Sequence, residues 1–145
     1  DGYARLARLE IHLRAHHWQA ACAHAESLIE QEHDLSWLAH TVVAALSENA
    51  HRHEHLEAVE SIAVTPTFWG YSASLVAAQR ALLHQLQGDE KRALAEVQKA
   101  EQRLRPGERL WTGLRPLLAY LGAAAALDHL SRYDSLTTAS VEAVR

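Results

Sequence analysis

The stretch LVAAQRALLHQLQGDEKRALAEVQKAEQRLRPG, residues 75–107, predicts the fold of this 145-residue chain. Its two halves are rich in alanine, leucine, glutamine and arginine, which are strong helix formers, and Gly88-Asp89 separates them. Apolar residues recur at three- and four-residue steps on both sides of this pair, for example at Leu82 and Leu86, as they do on the buried face of a helix. The stretch therefore predicts two helices joined by a tight turn.

The pattern of this stretch returns when the chain is shifted by 72 residues, about twice a 34-residue helical repeat. The shift places HLRAHHWQAACAHAESL, residues 12–28, over HQLQGDEKRALAEVQKA, residues 84–100, so that Ala21 aligns with Ala93. Prolines are only three in number and helix formers dominate throughout, so an all-α fold of about eight helices is predicted. The predicted breaks lie at residues 15–17, 32–35, 49–53, 64–68, 88–89, 105–107 and 131–134.

Residues 75–107 resemble the tetratricopeptide repeat family. The small residues of the family pattern match Ala81 and Ala93, its turn matches Gly88, and its helix-ending proline matches Pro106. Small side chains let two helices approach closely, and a glycine turns the chain at low steric cost. The resemblance implies a right-handed superhelical stack of three to four antiparallel helix hairpins, an α-solenoid. It would form one domain over residues 1–145, with approximate units 3–32, 35–66, 68–107 and 108–145.

The resemblance also implies where a partner would bind. In such a stack the first helix of each hairpin lines a concave groove that can hold a helix or an extended peptide of another protein. The inner positions of this register include Tyr3, Arg14, Trp37, His40, Leu82 and Gln85. Aromatic and arginine side chains often supply most of the binding energy of an interface. We therefore expect a non-catalytic protein-interaction module, a scaffold, with a homodimer through exposed repeat ends as a further possibility.

A second interpretation is a sensory domain that closes round a small effector. Arrays of this kind look like those of large bacterial transcription regulators of the maltose-activator type, and the excess of arginine over lysine and the abundant alanine indicate a bacterial sequence. A pocket lined by Arg14, Trp37 and His40 would favour the small-molecule interpretation, whereas a flat, open groove would favour peptide binding.

Composition excludes several classes of protein. The net charge of -4, from 14 basic and 18 acidic residues, provides no basic stripe for a phosphate backbone, so direct binding of nucleic acid is not expected. Cys22 is the only cysteine, which fits a reducing cytoplasm.

The longest apolar run, LLAYLGAAAAL at 117–127, is shorter than the roughly 20 residues of a membrane-spanning helix, and it predicts a buried helix. The chain starts at Asp1, contains no methionine and has no secretory leader, so we expect a piece of a larger protein.

The histidine-rich stretch ENAHRHEH, residues 48–55, is the main candidate for chemistry. His51 and His55 are four apart, the spacing of a two-histidine zinc pair on a helix. The repeat register, however, places residues 49–53 in a turn and His55 at the close helix contact that Ala21 occupies in the first unit. The two histidines are therefore weak metal candidates, no cofactor is predicted, and His55 is expected to loosen or re-angle the middle hairpin.

No catalytic residue is predicted. WGYSAS, residues 69–74, has Ser74 where the hydrolase motif Gly-x-Ser-x-Gly requires its last glycine, and nothing in the sequence proposes a base to activate a serine. These serines are more typical of a helix start.

Overall fold

The computed structural model describes residues 2–31, 36–47, 50–63, 73–104, 106–107 and 109–144, and it describes side chains within 4–31, 38–47, 54–60, 76–104, 106–107 and 109–134. Over these residues the chain forms eight α-helices and no strand. The helices are α1 Gly2–Arg14, α2 Trp18–Glu30, α3 Ser36–Leu46, α4 Ala50–Ala63, α5 Ala73–Leu86, α6 Glu90–Gln102, α7 Leu114–Tyr120 and α8 Ala124–Val144. The all-α prediction is thus confirmed, whereas the superhelical arrangement of hairpins stays a prediction.

The start of α4 differs from the prediction. The sequence register places residues 49–53 in a turn, but α4 is helical from Ala50 onward and therefore includes His51 and His53. No glycine or proline occurs from Ala50 to Ala63, so nothing in this segment opposes a helix at its first turn. His51 and His55 therefore lie on one continuous helix at the i,i+4 spacing, whereas the sequence register places a turn between them.

The last third of the chain corrects two further predictions. The apolar run at 117–127 is not one helix, because α7 ends at Tyr120 and Gly122 adopts a left-handed φ of 73° before α8 begins. The break predicted at 131–134 is also wrong, since α8 continues through it. Within this segment the hydroxyl of Ser131 donates a hydrogen bond to the carbonyl oxygen of Leu127, one turn earlier on α8, at 3.1 Å. Across the described ranges, no helix combines the length and the apolar character needed to cross a bilayer.

The same turn ends α1, α5 and α7. In each case one residue has a left-handed backbone, namely His16 (φ 59°), Gly88 (φ 80°) and Gly122 (φ 73°). The N–H of the following residue then donates to the carbonyl five residues earlier, at 2.9 Å in all three turns, which is the hydrogen bond of a Schellman motif. His16 and Gly88 are 72 residues apart, and Gly88 and Gly122 are 34 apart. A recurring turn at this spacing supports the internal repeat found in the sequence.

Gly88→Ala is expected to lower the free energy of unfolding by about 1 kcal/mol, the usual cost of a left-handed backbone at a residue with a β-carbon. The cost is purely a backbone effect, because no atom lies within 4 Å of an added β-carbon at this position. Urea denaturation followed by circular dichroism measures it. Gly88→Asn is the matched control and should lose less, because asparagine tolerates this conformation. Equal losses in both variants would contradict the explanation.

Helix α7 packs against helices from both the first and the second half of the chain. It contacts α1, α3 and α5 as well as α8, and Thr112, just before it, donates a 2.8 Å hydrogen bond to Glu10 on α1. The core is consequently shared by most of the helices, and its large members include Leu9, Leu13, Leu28, Val42, Leu82, Leu114, Leu117, Leu118 and Leu130. Because α7 packs against α1, α3 and α5, and α3 also packs against α5, part of the face predicted to line a groove is instead buried.

Candidate functional site

A partly open groove lies where the end of α1, the segment 109–113, α7 and α8 meet. Its volume is about 990 Å³, which is within the range of ligand-binding clefts. The lining residues are Arg14, His16, Arg109, Leu110, Trp111, Thr112, Leu114, Arg115, Pro116, Ala119, Leu127, Leu130, Tyr133 and Asp134. We call this surface the α1–α7–α8 groove.

The charge of the groove is opposite to that of the chain as a whole. The chain carries a net charge of -4, yet three arginines and one aspartate line the groove. Arg115 forms an ion pair with Asp134, which joins α7 to α8. Arg14 and Arg109 are exposed, and neither forms an ion pair with any carboxylate in the described part of the chain. Two guanidinium groups are therefore available to an anionic ligand.

The floor of the groove is apolar. Leu114 and Leu130 are nearly completely buried beneath it, and Leu110 and Leu127 are half-buried at its surface. The indole of Trp111 is also half-buried and packs against Gly113. A ligand in this groove can therefore bury apolar side chains while its charged groups meet arginine.

An aromatic stack adjoins the groove at His16, which is one of its lining residues. The ring of His16 lies parallel to Trp18, with the ring centroids 5.1 Å apart, and Trp18 meets Tyr120 at 4.8 Å with the rings tilted by 56°. These contacts join the α1–α2 turn to the end of α7. The left-handed backbone of His16 turns the chain so that its ring reaches Trp18.

A second cluster of polar side chains lies between α3 and α4. The Nδ1 atoms of His40 and His55 are 2.9 Å apart, with the ring centroids 5.2 Å apart and the rings tilted by 45°. One imidazole donates its Nδ1–H and the other accepts, so at most one of the two Nδ1 atoms carries a proton while the bond exists. Burial, and then the neighbouring His55, lower the pKa of His40 below its usual value, which favours the neutral ring.

Histidines also gather where α1 packs on α2. The ring of His12 lies 6.2 Å from that of His17 and 6.2 Å from that of His24. The Nε2–H of His24 donates to the carbonyl oxygen of Arg5 at 2.8 Å. Across the part of the chain that the structure describes, no three His, Cys, Asp or Glu side chains are arranged to hold a metal ion. The contacts observed for these three rings are ring packing and, for His24, one hydrogen bond.

The thiol of Cys22 is only partly buried. Burial, and then the carboxylate of Glu26, raise the pKa of this thiol, so its reactive thiolate form is disfavoured at neutral pH.

The structure separates the residues predicted to share one binding surface. Arg14 lines the α1–α7–α8 groove, His40 lies at the α3–α4 contact, and Gln85 is half-buried on α5. Leu82 is 0 % exposed and belongs to the hydrophobic core, so a partner cannot reach its side chain. The backbones of Tyr3 and Trp37 lie on α1 and α3, and their side chains are outside the described residues, as is that of the metal candidate His51.

Sequence reasoning missed most of the groove. Its main contributors, Arg109, Trp111, Arg115 and Asp134, come from the last unit, where the repeat pattern is faintest. The signal that could have found Arg109, Trp111 and Arg115 is the segment RLWTGLRP, residues 109–116, which places two arginines and a tryptophan around the start of a short helix. No family model, curated protein or solved structure matches this chain.

Proposed function

We propose that this chain is a non-catalytic interaction module that binds an acidic, partly apolar segment of a partner protein in the α1–α7–α8 groove. The single observation that carries the proposal is the pair Arg14 and Arg109, which lie on an apolar floor without a described carboxylate partner. The resemblance to tetratricopeptide repeats and the turn that recurs at their spacing favour this class. The right-handed superhelical stack is part of the proposal.

The chemistry of the groove selects the kind of ligand. A guanidinium binds a carboxylate through two parallel hydrogen bonds, which adds geometric specificity to the attraction of charge. An acidic segment with interspersed leucines would place carboxylates at Arg14 and Arg109 and apolar side chains against Leu110 and Leu127. A basic segment would meet like charges on both arginines and is therefore expected to bind more weakly.

The direct test is binding of fluorescein-labelled peptides, measured by fluorescence anisotropy. Three peptides of about ten residues, the length of a short helix or strand ligand, alternate leucine with glutamate, glutamine or lysine. The glutamate peptide is expected to bind best, and its affinity should fall as salt rises, because the arginines are exposed and therefore screened. Glutamate and glutamine peptides that bind equally well would overturn the proposal.

Arg14→Glu and Arg109→Glu are each expected to weaken binding of the glutamate peptide by about tenfold or more, since each replaces an attraction by a repulsion. Arg8→Glu is the matched control, because Arg8 is exposed on the same helix as Arg14 but does not line the groove. All three variants replace an exposed arginine, so circular dichroism should show unchanged folding. A loss of affinity in the control as large as in Arg14→Glu would indicate a general charge effect and contradict a defined site.

The second candidate ligand is a small-molecule effector. The volume of the groove, about 990 Å³, lies within the range of small-molecule sites and favours this candidate. Such a domain would regulate attached segments of a transcription regulator. Octanoate and indole-3-acetate combine a carboxylate with an apolar body and serve as probes. Displacement of the labelled peptide by either acid at micromolar concentration would favour the effector role, and failure of both acids to displace it at millimolar concentration would favour the peptide.

The homodimer through exposed repeat ends remains a prediction. Sedimentation of the chain in solution measures its oligomeric state.

A further inference from the structure

The contact between His40 and His55 is not explained by the groove. The two residues lie on facing helices, α3 and α4, and are 15 positions apart in the chain. Each presents the same atom, Nδ1, to the other at 2.9 Å, and both rings are half-buried. Imidazole nitrogens are the commonest metal ligands in proteins, and two of them that converge from facing helices can bind one ion together.

We propose that His40 and His55 bind a divalent transition metal ion, zinc in the first instance, between α3 and α4. Zinc–nitrogen distances of about 2.0–2.1 Å in tetrahedral geometry put two ligand nitrogens about 3.3 Å apart. The observed 2.9 Å therefore has to widen by only a few tenths of an ångström. Small rotations of the two side chains supply this change without any displacement of the helices.

Metal binding at this pair requires a change of tautomer but no net loss of a proton from the neutral rings. In the hydrogen-bonded pair, one ring carries its proton on Nδ1 and the other on Nε2. With both Nδ1 atoms on the metal, both rings carry the proton on Nε2. The hydrogen bond between the rings is exchanged for two metal–nitrogen bonds, and the lowered pKa of His40 keeps its ring available as a ligand at neutral pH.

The remaining coordination positions would be filled by water, because no third ligating side chain joins the pair within the described ranges. A site of this type is open and exchangeable rather than closed and structural. Its competitor is the pair of His51 and His55, which lie one turn apart on α4 and could bind a metal on a single helix without His40. The experiment must separate these two arrangements.

Zinc binding is measured by isothermal titration calorimetry with the free zinc concentration held low by a competing chelator. The chelator prevents binding at weak sites, of which a chain with 11 histidines can have several. The comparison uses His40→Ala, His55→Ala, His51→Ala and His53→Ala. His53 is the matched control, because a separation of two residues is about 200° around a helix and takes it away from the position of His55. His40→Ala and His55→Ala are each expected to weaken zinc binding by at least about tenfold, and His53→Ala by less than about threefold.

Unchanged zinc affinity in His40→Ala would overturn the site between the helices, most clearly if His51→Ala loses binding at the same time. A loss in His40→Ala supports it, and an added loss in His51→Ala would make His51 a third ligand. Histidine ¹⁵N spectra of the unaltered chain provide a readout that does not depend on the folding of any variant. On addition of zinc, the Nδ1 resonances of two histidines should shift and both should become Nε2–H tautomers; spectra that do not change with zinc would overturn the proposal.

Discussion

Leu82→Ala is expected to lower the free energy of unfolding by about 2–5 kcal/mol, the range for truncation of a fully buried leucine. Leu82 is 0 % exposed and belongs to the core cluster, together with Val42 on α3 and Leu117 on α7. Truncation removes apolar area from the core and leaves a cavity that close-packed helices refill only in part. Urea denaturation followed by circular dichroism measures the loss.

Ile11→Ala is the matched control, since Ile11 is a large aliphatic residue on a helix but is 61 % exposed. Its loss should be below about 0.5 kcal/mol. The pair of variants also separates two accounts of Leu82. If Leu82 lined an open groove, as the repeat register alone suggests, its truncation would reduce peptide binding and hardly change stability. A stability loss similar to that of Ile11→Ala would contradict the core position.

The helices follow from local chemistry, and most of their limits could therefore be predicted from the sequence. Strong helix formers fill the segments between breaks, and Gly88 turns the chain in a conformation that other residues resist. Gly122 was missed because it lies within an apolar, alanine-rich run whose composition favours a continuous helix. Gly122 ends α7 through the Schellman hydrogen bonds formed around it, and the periodicity of apolar residues does not reveal these bonds.

The candidate site depends on contacts that periodicity cannot supply. A helical pattern identifies the apolar face of one helix, but it does not say which other helix that face meets. The groove exists because α7 returns to α1, a contact that joins Glu10 and Thr112 across 102 positions of the chain. The contact between His40 and His55 is shorter in range but has the same origin, because it depends on how α4 packs against α3.

Gly113→Ala is expected to lower the free energy of unfolding by about 1–3 kcal/mol, the usual cost of overpacking. A β-carbon on Gly113 would lie 2.3 Å from Cζ2 and 2.6 Å from Cη2 of Trp111, far inside contact distance. The backbone of Gly113 has φ -79° and ψ -14°, which alanine adopts easily, so the effect is a steric clash with the indole and involves no backbone strain. Urea denaturation measures the loss.

A double-mutant cycle with Trp111→Ala tests this cause. If the clash with the indole explains the loss, Gly113→Ala should cost about 1 kcal/mol less, or even be neutral, once the ring is absent. The only remaining loss would be the ordinary difference in stability between glycine and alanine at the N-cap of α7. Additive losses in the double variant would show that the ring does not resist a side chain at position 113. In that case, packing against Gly113 would not be what holds the indole of Trp111 in its place in the groove.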